Sequence, residues 1–272
     1  MTTRQKERQM AEVSEPYPGG FNWVDLMTTD VESAREFYST LLGCETVDNP
    51  VGDDFVYTLF TRNGKNIAGM SPMMPDMQEQ GVPPHWNSYV AVANVGEAAA
   101  KAASLGGTVI MPPMDVMEFG RMASIIDPTG AVLNLWEAKT HIGVDLIGEA
   151  GAYCWSELYT HDTEAASSFY CNLFGWVAQE VPGAGGMPYN LFTNDGAPAA
   201  GMLAIQPIWG EVPPNWTVYF GVENLDAALE QVQAMGGSMQ VQPMSIPGIG
   251  RISLITDPQH VYVMLMELEQ AA

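Results

Sequence analysis

Apolar residues at helical spacing predict a first helix near the start of the chain. Its stripe falls at i, i+3, i+4 and i+7 and consists of Ala34, Phe37, Tyr38 and Leu41. Asp30 is suited to cap the amino end of this helix, and Gly43 is typical of its carboxyl end. The strand-like stretches around the helix are residues 22–28, 55–61 and 67–70.

The same pattern then begins again. Strand-like residues 87–92 precede a helix predicted for residues 95–105, which ends at Gly106. The inward stripe of this helix is Val95, Ala98, Ala99 and Ala102. Further strands are predicted to begin at Thr108, Arg121 and Ala131. This part of the chain therefore predicts the order βαβββ twice.

The whole arrangement occurs a second time in the chain. The motif Trp-x-Asp-Leu-x-Thr-x-Asp begins at Trp23, and Trp-x-Glu-Leu-x-Thr-x-Asp begins at Trp155. Further matching positions are Phe37-Tyr38 with Phe169-Tyr170, Tyr57 with Tyr189, Trp86 with Trp216, and Tyr89 with Tyr219. Because the matches keep one register with a single short gap, we predict a tandem duplication. The predicted division is a flexible leader at 1–18, domain 1 at 19–140, a linker at 141–150 and domain 2 at 151–272.

Composition and charge narrow the classes of function. The 272 residues are 47% hydrophobic and carry a formal net charge of -22, which repels phosphate backbones and anionic lipid. We therefore expect no nucleic-acid or membrane partner. With no apolar stretch long enough for a membrane span and no signal-peptide pattern, a cytoplasmic protein is expected. The three cysteines form no Cys-x-x-Cys pair and are interpreted as small apolar residues.

The repeated motifs resemble those of the vicinal oxygen chelate superfamily, which includes glyoxalases, bleomycin-resistance proteins and extradiol dioxygenases. The resemblance covers about residues 19–269. Within the superfamily, the motifs are most similar to those of a tandem, actinobacterial glyoxalase-like subgroup. It implies an α+β fold in which four βαβββ modules form two cupped mixed sheets. The fold hosts many reactions, so the resemblance alone does not identify one.

The resemblance also implies where metal-using relatives place their ligands. These are four inward-facing strand positions per cup, which here are Trp23, Ala68/Gly69, Asn87 and Asn134 in the first copy and Trp155, Ala200/Gly201, Thr217 and Met264 in the second. A catalytic divalent cation needs about three imidazole, carboxylate or thiolate ligands. We therefore predict that the chain uses neither a metal nor another cofactor.

Two acidic residues are candidates for acid/base chemistry. Asp25 and Glu157 lie two residues after Trp23 and Trp155, so they face the same side of their strands. In an apolar pocket such a carboxylate acquires a raised pKa and can act as a general base. The alternative is purely structural. Asp25 and Glu157 would then form internal hydrogen bonds, for example to Arg121 and Arg251 on a neighbouring strand.

Aromatic and sulfur-containing side chains are candidates for the walls of a ligand pocket. Trp23, Trp136 and Trp155 can stack on a planar ligand, with Met264 as an adaptable neighbour. His85 is a candidate base, although its counterpart is Asn215. The plain alternative is that these side chains fill closed cups. The complete set of predicted ligand-binding residues is Trp23, His85, Asn87, Arg121, Asn134, Trp136, Trp155, Thr217, Tyr219, Arg251 and Met264.

Three functions remain open from the sequence. The leading hypothesis is a metal-independent protein that binds a small apolar or aromatic metabolite, with or without acid/base assistance from Asp25 or Glu157. The second is a metal-dependent glyoxalase-type lyase/isomerase or dioxygenase. In that case the strand register given above is wrong, and the metal ligands are other residues. The third is a protein-interaction module with closed cups. The chain is expected to be a monomer or a homodimer.

Overall fold

The first copy forms one mixed sheet with helices on one side. A computed structural model describes residues 11–51, 55–183 and 187–269. Its elements up to the linker are β1 Ala11–Glu12, β2 Phe21–Thr28, α1 Val31–Leu42, β3 Glu45–Val51, β4 Phe55–Arg62, β5 Lys65–Pro72, α2 Pro75–Glu79, β6 His85–Ala91, α3 Val95–Ser104, β7 Thr108–Val116, β8 Gly120–Ile126 and β9 Val132–Ala138. The eight strands of the sheet lie in the order β3-β4-β5-β2-β6-β9-β8-β7.

The second copy repeats this plan. Its elements are β10 Leu146–Ile147, β11 Tyr153–Thr160, α4 Thr163–Phe174, β12 Val177–Pro182, β13 Pro188–Asn194, β14 Ala197–Ala204, a 3-10 turn at Pro207–Trp209, β15 Asn215–Val222, α5 Leu225–Ala234, β16 Ser238–Met239, β17 Met244–Ile246, β18 Gly250–Thr256 and β19 Tyr262–Leu268. The main path of the sheet is β12-β13-β14-β11-β15-β19-β18-β16, with β17 also paired to β18. The predicted α+β architecture of four βαβββ modules is confirmed.

Side-chain caps set the helix ends at the predicted places. Asp30 and Asp162 accept hydrogen bonds from the first turns of α1 and α4, and Asn94 and Asn224 do the same for α3 and α5. Gly43 ends α1 in the left-handed conformation, which glycine adopts without the steric penalty of a Cβ atom. None of the helices among the described residues has the length and apolar character needed to cross a bilayer.

The two copies share one apolar core. Its buried side chains come from both halves of the chain, and α1 packs against α5 as α3 packs against α4. The face of each sheet opposite its helices is called its cup. The core fixes the two sheets relative to each other. Trp23, Tyr89 and Trp136 of the N-terminal cup belong to it, whereas the C-terminal cup has a separate cluster around Tyr219 and Met264.

Reciprocal buried hydrogen bonds cross this joint. Tyr38 Oη of α1 donates to Asp257 Oδ2 of the second copy at 3.1 Å, and Tyr170 Oη of α4 donates to Asp127 Oδ2 of the first at 2.8 Å. Each tyrosine also accepts a hydrogen bond from an indole of its own copy, Trp86 or Trp216. Both copies therefore lose a buried polar partner if either tyrosine hydroxyl is removed.

The segment predicted as a free leader is in contact with the rest of the protein from residue 11 onward. The β1 strand pairs with β10 of the predicted linker, and Val13 N donates to Asp145 O at 3.0 Å. Tyr17 Oη donates to Asn194 O of the second copy at 3.0 Å. The backbone of residues 11–13 therefore bonds to the predicted linker, and Tyr17 contacts the second copy, whereas the flexibility of the leader stays a prediction. Residues 1–10 of the leader lie outside the described residues.

We predict that Tyr38→Phe lowers the free energy of unfolding by about 1 to 3 kcal/mol, because it removes the phenol that donates to Asp257 Oδ2 and accepts from the Trp86 indole. Urea denaturation measures the effect. Tyr262→Phe is the matched control, since Tyr262 is 59% exposed. Equal stability of the two variants would show that the buried hydroxyl does not hold the copies together.

Candidate functional site

Strand register brings the predicted site residues of the first copy onto one face. Asp25 of β2 pairs with Gly69 of β5 on one side and with Asn87 of β6 on the other. Trp23 pairs with Tyr89, which in turn pairs with Asn134 of β9. Because directly paired residues point to the same side of a sheet, these side chains all belong to the N-terminal cup.

A buried carboxyl group lies at the centre of the N-terminal cup. Asp25 is 6% exposed. Its Oδ2 atom accepts hydrogen bonds from Tyr57 Oη and Tyr89 Oη, both at 3.0 Å, and its Oδ1 atom accepts one from Asn87 Nδ2 at 3.0 Å. The Trp23 indole donates to Tyr57 Oη at 2.8 Å and so orients that phenol. All direct donors to the carboxyl are neutral.

The C-terminal cup contains the matching group in a modified setting. Glu157 is 4% exposed, and its Oε1 atom accepts a hydrogen bond from Tyr219 Oη at 2.7 Å. Tyr159 and Tyr189 also hydrogen-bond to Glu157, and the Trp155 indole donates to Tyr189 Oη at 3.1 Å. A cage of three phenols therefore replaces the two phenols and one amide of the first copy.

Burial changes the proton affinity of both carboxyl groups. Desolvation raises the pKa of Asp25, although the hydrogen bonds from Asn87, Tyr57 and Tyr89 oppose this change. Desolvation likewise raises the pKa of Glu157 against the opposing hydrogen bonds of its phenols. The effect follows from placing a charge in a medium of low polarizability without a cation beside it.

The predicted pairing of these carboxyl groups with arginines is wrong. Arg121 interacts with Asp115 and Glu137, and Arg251 interacts with Asp226 and Glu267. The neighbouring residue Met122 pairs with Trp136 on the cup face, so Arg121 points to the opposite face. The carboxyl groups are therefore not neutralised by the two arginines, and neither arginine belongs to a cup.

The remaining polar residues of the N-terminal cup continue away from Asp25. Asn134 Nδ2 donates to Asn87 Oδ1 at 3.3 Å, and Ser124 Oγ donates to Asn134 Oδ1. The corresponding residues of the C-terminal cup are Thr217, Met264 and Leu254. Thr217 directs its hydroxyl to Asn215 Oδ1 at 2.8 Å. The residues Asn87, Asn134 and Ser124 form a polar track in the N-terminal cup. Their counterparts make the same wall of the C-terminal cup largely apolar.

Linker residue His141 covers one end of the N-terminal cup. Its ring lies 4.4 Å from the ring of Trp23 and 5.7 Å from that of Trp136, in both cases edge to face. The Trp136 indole donates to His141 O at 2.8 Å. Burial lowers the pKa of the His141 imidazole. The indole N–H groups of Trp23 and Trp136 therefore both donate to partners inside the protein.

His85 stands near the Asp25 carboxyl but does not bond to it. Its strand pairs it with Met27, and its Nδ1 atom lies 2.8 Å from Pro83 O. Its charge contributes a small lowering of the Asp25 pKa, the last of the effects that act on that group. His85 therefore lies at the rim of the cup. Its role as a base stays a prediction.

The residues at the family's ligand positions do not fit a divalent cation. A Cβ atom added to Gly69 would overlap the Tyr57 hydroxyl, and one added to Gly201 would overlap the Tyr189 hydroxyl. The phenol therefore fills the space that a ligand side chain would need. Within residues 11–51, 55–183 and 187–269, no group of three His, Cys, Asp or Glu side chains could hold a metal ion.

Four tyrosines of the site were not among the predicted site residues. They are Tyr57, Tyr89, Tyr159 and Tyr189. Three of them carried a signal in the sequence, since Tyr57 recurs as Tyr189 and Tyr89 recurs as Tyr219 at the repeat spacing. Tyr159 had none, because its counterpart is Met27. The partner of each phenol depends on strand register, which the repeat does not reveal.

The fold and the paired cups define a class of protein. It is a two-domain α+β protein in which duplicated βαβββ pairs each build one mixed sheet around a central carboxyl group. The chain belongs to the glyoxalase/bleomycin resistance protein/dioxygenase superfamily, whose model matches residues 20–135 and 151–265. The resemblance stated from the sequence is thereby confirmed.

Individual relatives cover almost the entire chain. The Mycobacterium tuberculosis protein CFP32, whose name assigns it provisionally to the glyoxylases, is 40% identical over 92% of this chain and 95% of its own length. The Streptomyces peucetius anthracycline biosynthesis protein DnrV is 31% identical over 93% of this chain and 94% of its own. The fold is similar to that of the Mn(II)-bound glyoxalase from Novosphingobium aromaticivorans, with a TM-score of 0.64, 15% identity and coverage of 93% and 83%.

We predict that Glu157→Gln removes part of the pH dependence of stability. Since burial raises the native pKa of Glu157 above the ordinary 4.5, this group stabilises the native state most at pH below 4.5, and its contribution is lost as pH rises through the native pKa. In urea denaturation, the stability of the wild type relative to Glu157→Gln should therefore fall as the pH rises from below 4.5 through the native pKa. Each tenfold change in proton affinity corresponds to about 1.4 kcal/mol.

The matched control for this comparison is Glu180→Gln, because Glu180 is an exposed carboxylate on β12. It should not show the same fall. If the stability of the wild type relative to Glu157→Gln instead increased with pH, the phenols around Glu157 would favour its ionised form over its protonated form.

We also predict that the chain purified without chelator contains less than about half an equivalent of Ni, Zn, Fe or Mn, because the ligand positions lack suitable donors. Elemental analysis by mass spectrometry measures the content. Near-stoichiometric metal that disappears in Asp25→Asn or Glu157→Gln would contradict the prediction and support the metal-dependent alternative.

Proposed function

We propose that the protein binds a neutral, largely aromatic small molecule in one or both cups without a metal ion. The observation that carries the proposal is the buried carboxyl group at the centre of each cup, held only by neutral donors. Asp25 and Glu157 are the central polar groups of the proposed sites. Trp23 and Trp155 belong to their walls.

The energetics of the carboxyl groups support a functional role. Removing a carboxylate from water without pairing it to a cation destabilises a folded protein. A packed apolar residue would avoid this cost at either position. Groups that retain a perturbed pKa in a recess are characteristic of binding and catalytic sites, although they also occur in structural networks.

Electrostatics favour a ligand without negative charge. The chain carries a net charge of -22. In the part of the chain that the structure describes, neither arginine nor lysine contributes to the hydrogen bonds of Asp25 or Glu157. An anionic ligand would therefore meet an acidic protein with no arginine or lysine bonded to the central carboxyl, whereas a neutral hydroxyl or amine can donate to that group.

The carboxyl groups can also assist a reaction. A carboxylate with a raised pKa accepts a proton more readily near neutral pH than an ordinary aspartate or glutamate does. In this protein the phenols next to the carboxyl would orient a ligand whose acidic proton points at the carboxylate. Binding with acid/base assistance at Asp25 or Glu157 is thus part of the same proposal.

The names of two relatives are compatible with such a ligand. CFP32 is named after the glyoxylases, and DnrV is named for anthracycline biosynthesis. Anthracyclines are polycyclic aromatic molecules with hydroxyl groups, which is the chemistry that a phenol-lined apolar recess would accept. The names concern those proteins, and the ligand of this chain is proposed from its own residues.

We predict that 2-naphthol raises the melting temperature of the protein. 2-Methoxynaphthalene, which lacks the donor, should act less, and 2-naphthoate, which is anionic, should act least. A ligand at a hundred times its Kd stabilises the native state by about 2.7 kcal/mol. Thermal-shift measurements followed by calorimetric titration test the order.

The outcome separates the alternatives. A larger effect of 2-naphthoate than of 2-naphthol would contradict a carboxyl-centred neutral site. The absence of any response to the three compounds and to larger neutral aromatics would reject the proposal and favour an interaction module with closed cups.

A further inference from the structure

We propose that the C-terminal cup alone takes the aromatic ligand, and that Trp209 and Tyr159 at its rim determine the specificity for a planar ring. This inference rests on the proposed function and assigns it to one of the two copies. The two cups share one backbone plan but differ in the chemistry of their side chains.

The rim of the C-terminal cup carries an aromatic pair next to the buried carboxyl group. The rings of Trp209 and Tyr159 lie 5.9 Å apart at an interplanar angle of 73°. Tyr159 hydrogen-bonds to Glu157, and its hydroxyl lies 3.4 Å from that of Tyr219. A planar ligand between these rings and Glu157 would contact an aromatic face and a hydrogen-bond acceptor together.

The loop that carries Trp209 is held at this end of the sheet. Ile205 N donates to Thr160 O at 2.8 Å, and His161 Nε2 lies 3.2 Å from Val212 O. Trp209 itself is 37% exposed, and its neighbour Ile208 is 90% exposed. Two large apolar side chains therefore face solvent beside the cup, where a ligand could cover them.

The wall of the C-terminal cup forms an apolar cluster that is separate from the main core. Tyr219, Ile252, Met264 and Met266 are its buried members, and half-buried neighbours include Trp155, Met244 and Leu254. Methionine side chains adapt their shape to a neighbour because they are unbranched and polarizable. The half-buried aromatic and sulfur-containing side chains give this cup a surface for an aromatic ring.

The N-terminal cup lacks the same opportunity. Met27 occupies the position of Tyr159, and the polar track from Asn87 to Ser124 satisfies its own hydrogen bonds. Trp23 is 4% exposed beneath His141, whereas its counterpart Trp155 is half-buried. The Asp25 carboxyl therefore lies in a polar cup covered by His141, whereas the equally buried Glu157 carboxyl lies behind an apolar wall whose Trp155 is half-buried.

The test is calorimetric titration of the whole chain with 2-naphthol. We expect one binding site per chain. Trp209→Ala and Tyr159→Met should each weaken binding by about tenfold, since aromatic contacts are lost in the first and both a ring and a phenol in the second. Glu157→Gln should weaken binding by a similar factor, because the amide cannot supply a charge-assisted acceptor.

The matched control is Met27→Ala, which alters the equivalent rim position of the N-terminal cup and should leave the Kd unchanged. The melting temperature of each variant without ligand shows that it is folded. Trp209 lies on a surface turn, so its variant separates ligand contact from core packing.

Each remaining outcome decides the inference. Two sites per chain, or a loss of affinity in Asp25→Asn or Met27→Ala equal to that in Glu157→Gln, would overturn the assignment to the C-terminal cup and leave the proposed function standing. Unchanged affinity in both Trp209→Ala and Tyr159→Met would overturn the role of the rim. If no compound binds the wild type, both the inference and the proposed function fail.

Discussion

A buried carboxyl group without a cationic partner is the constraint that organises each cup. Asp25 must obtain its hydrogen bonds from neutral neighbours, and it does so from a phenol of β4, a phenol of β6 and an amide of β6. The β4 phenol crosses β5, where only glycine at position 69 leaves room for its hydroxyl. The Trp23 indole then holds the same hydroxyl. Three strands are thus tied to one ionisable group, and Glu157 repeats the arrangement with Tyr189 over Gly201.

The same constraint accounts for the residues that occupy the family's metal-ligand positions in this chain. A relative with a metal ion satisfies the centre of the cup with charged ligands around a cation. This chain has a tyrosine hydroxyl in the space of one ligand and indoles at the first strand position. The centre of each cup is therefore a hydrogen-bonded carboxyl group, and proton transfer and neutral-ligand binding are the chemistry that we propose for it.

Duplication allows the two cups to differ without a change of scaffold. The copies are locked together on their helical sides by the shared core and by the reciprocal bonds of Tyr38 and Tyr170. The C-terminal cup has an apolar cluster of its own, separate from that core. A substitution such as Asn134 to Met264 between equivalent positions therefore changes the polarity of a cup without touching the reciprocal bonds of the joint.

The duplication, the βαβββ order, the helix cap at Asp30 and the shared face of Trp23 and Asp25 could all be predicted from the chain alone. Each of these depends on short-range periodicity or on a repeated spacing along the chain. The groups that surround the carboxyls became known only from the folded arrangement. Arg121 was assigned to the wrong face of its strand because apolar residues occur on both faces of β8. The sequence of β8 therefore does not indicate which face lines the cup. Tyr57 and His141 reach the cup from elements far apart in sequence, and their positions depend on strand register and on the path of the linker. Such contacts arise from packing between distant segments, which local periodicity does not encode.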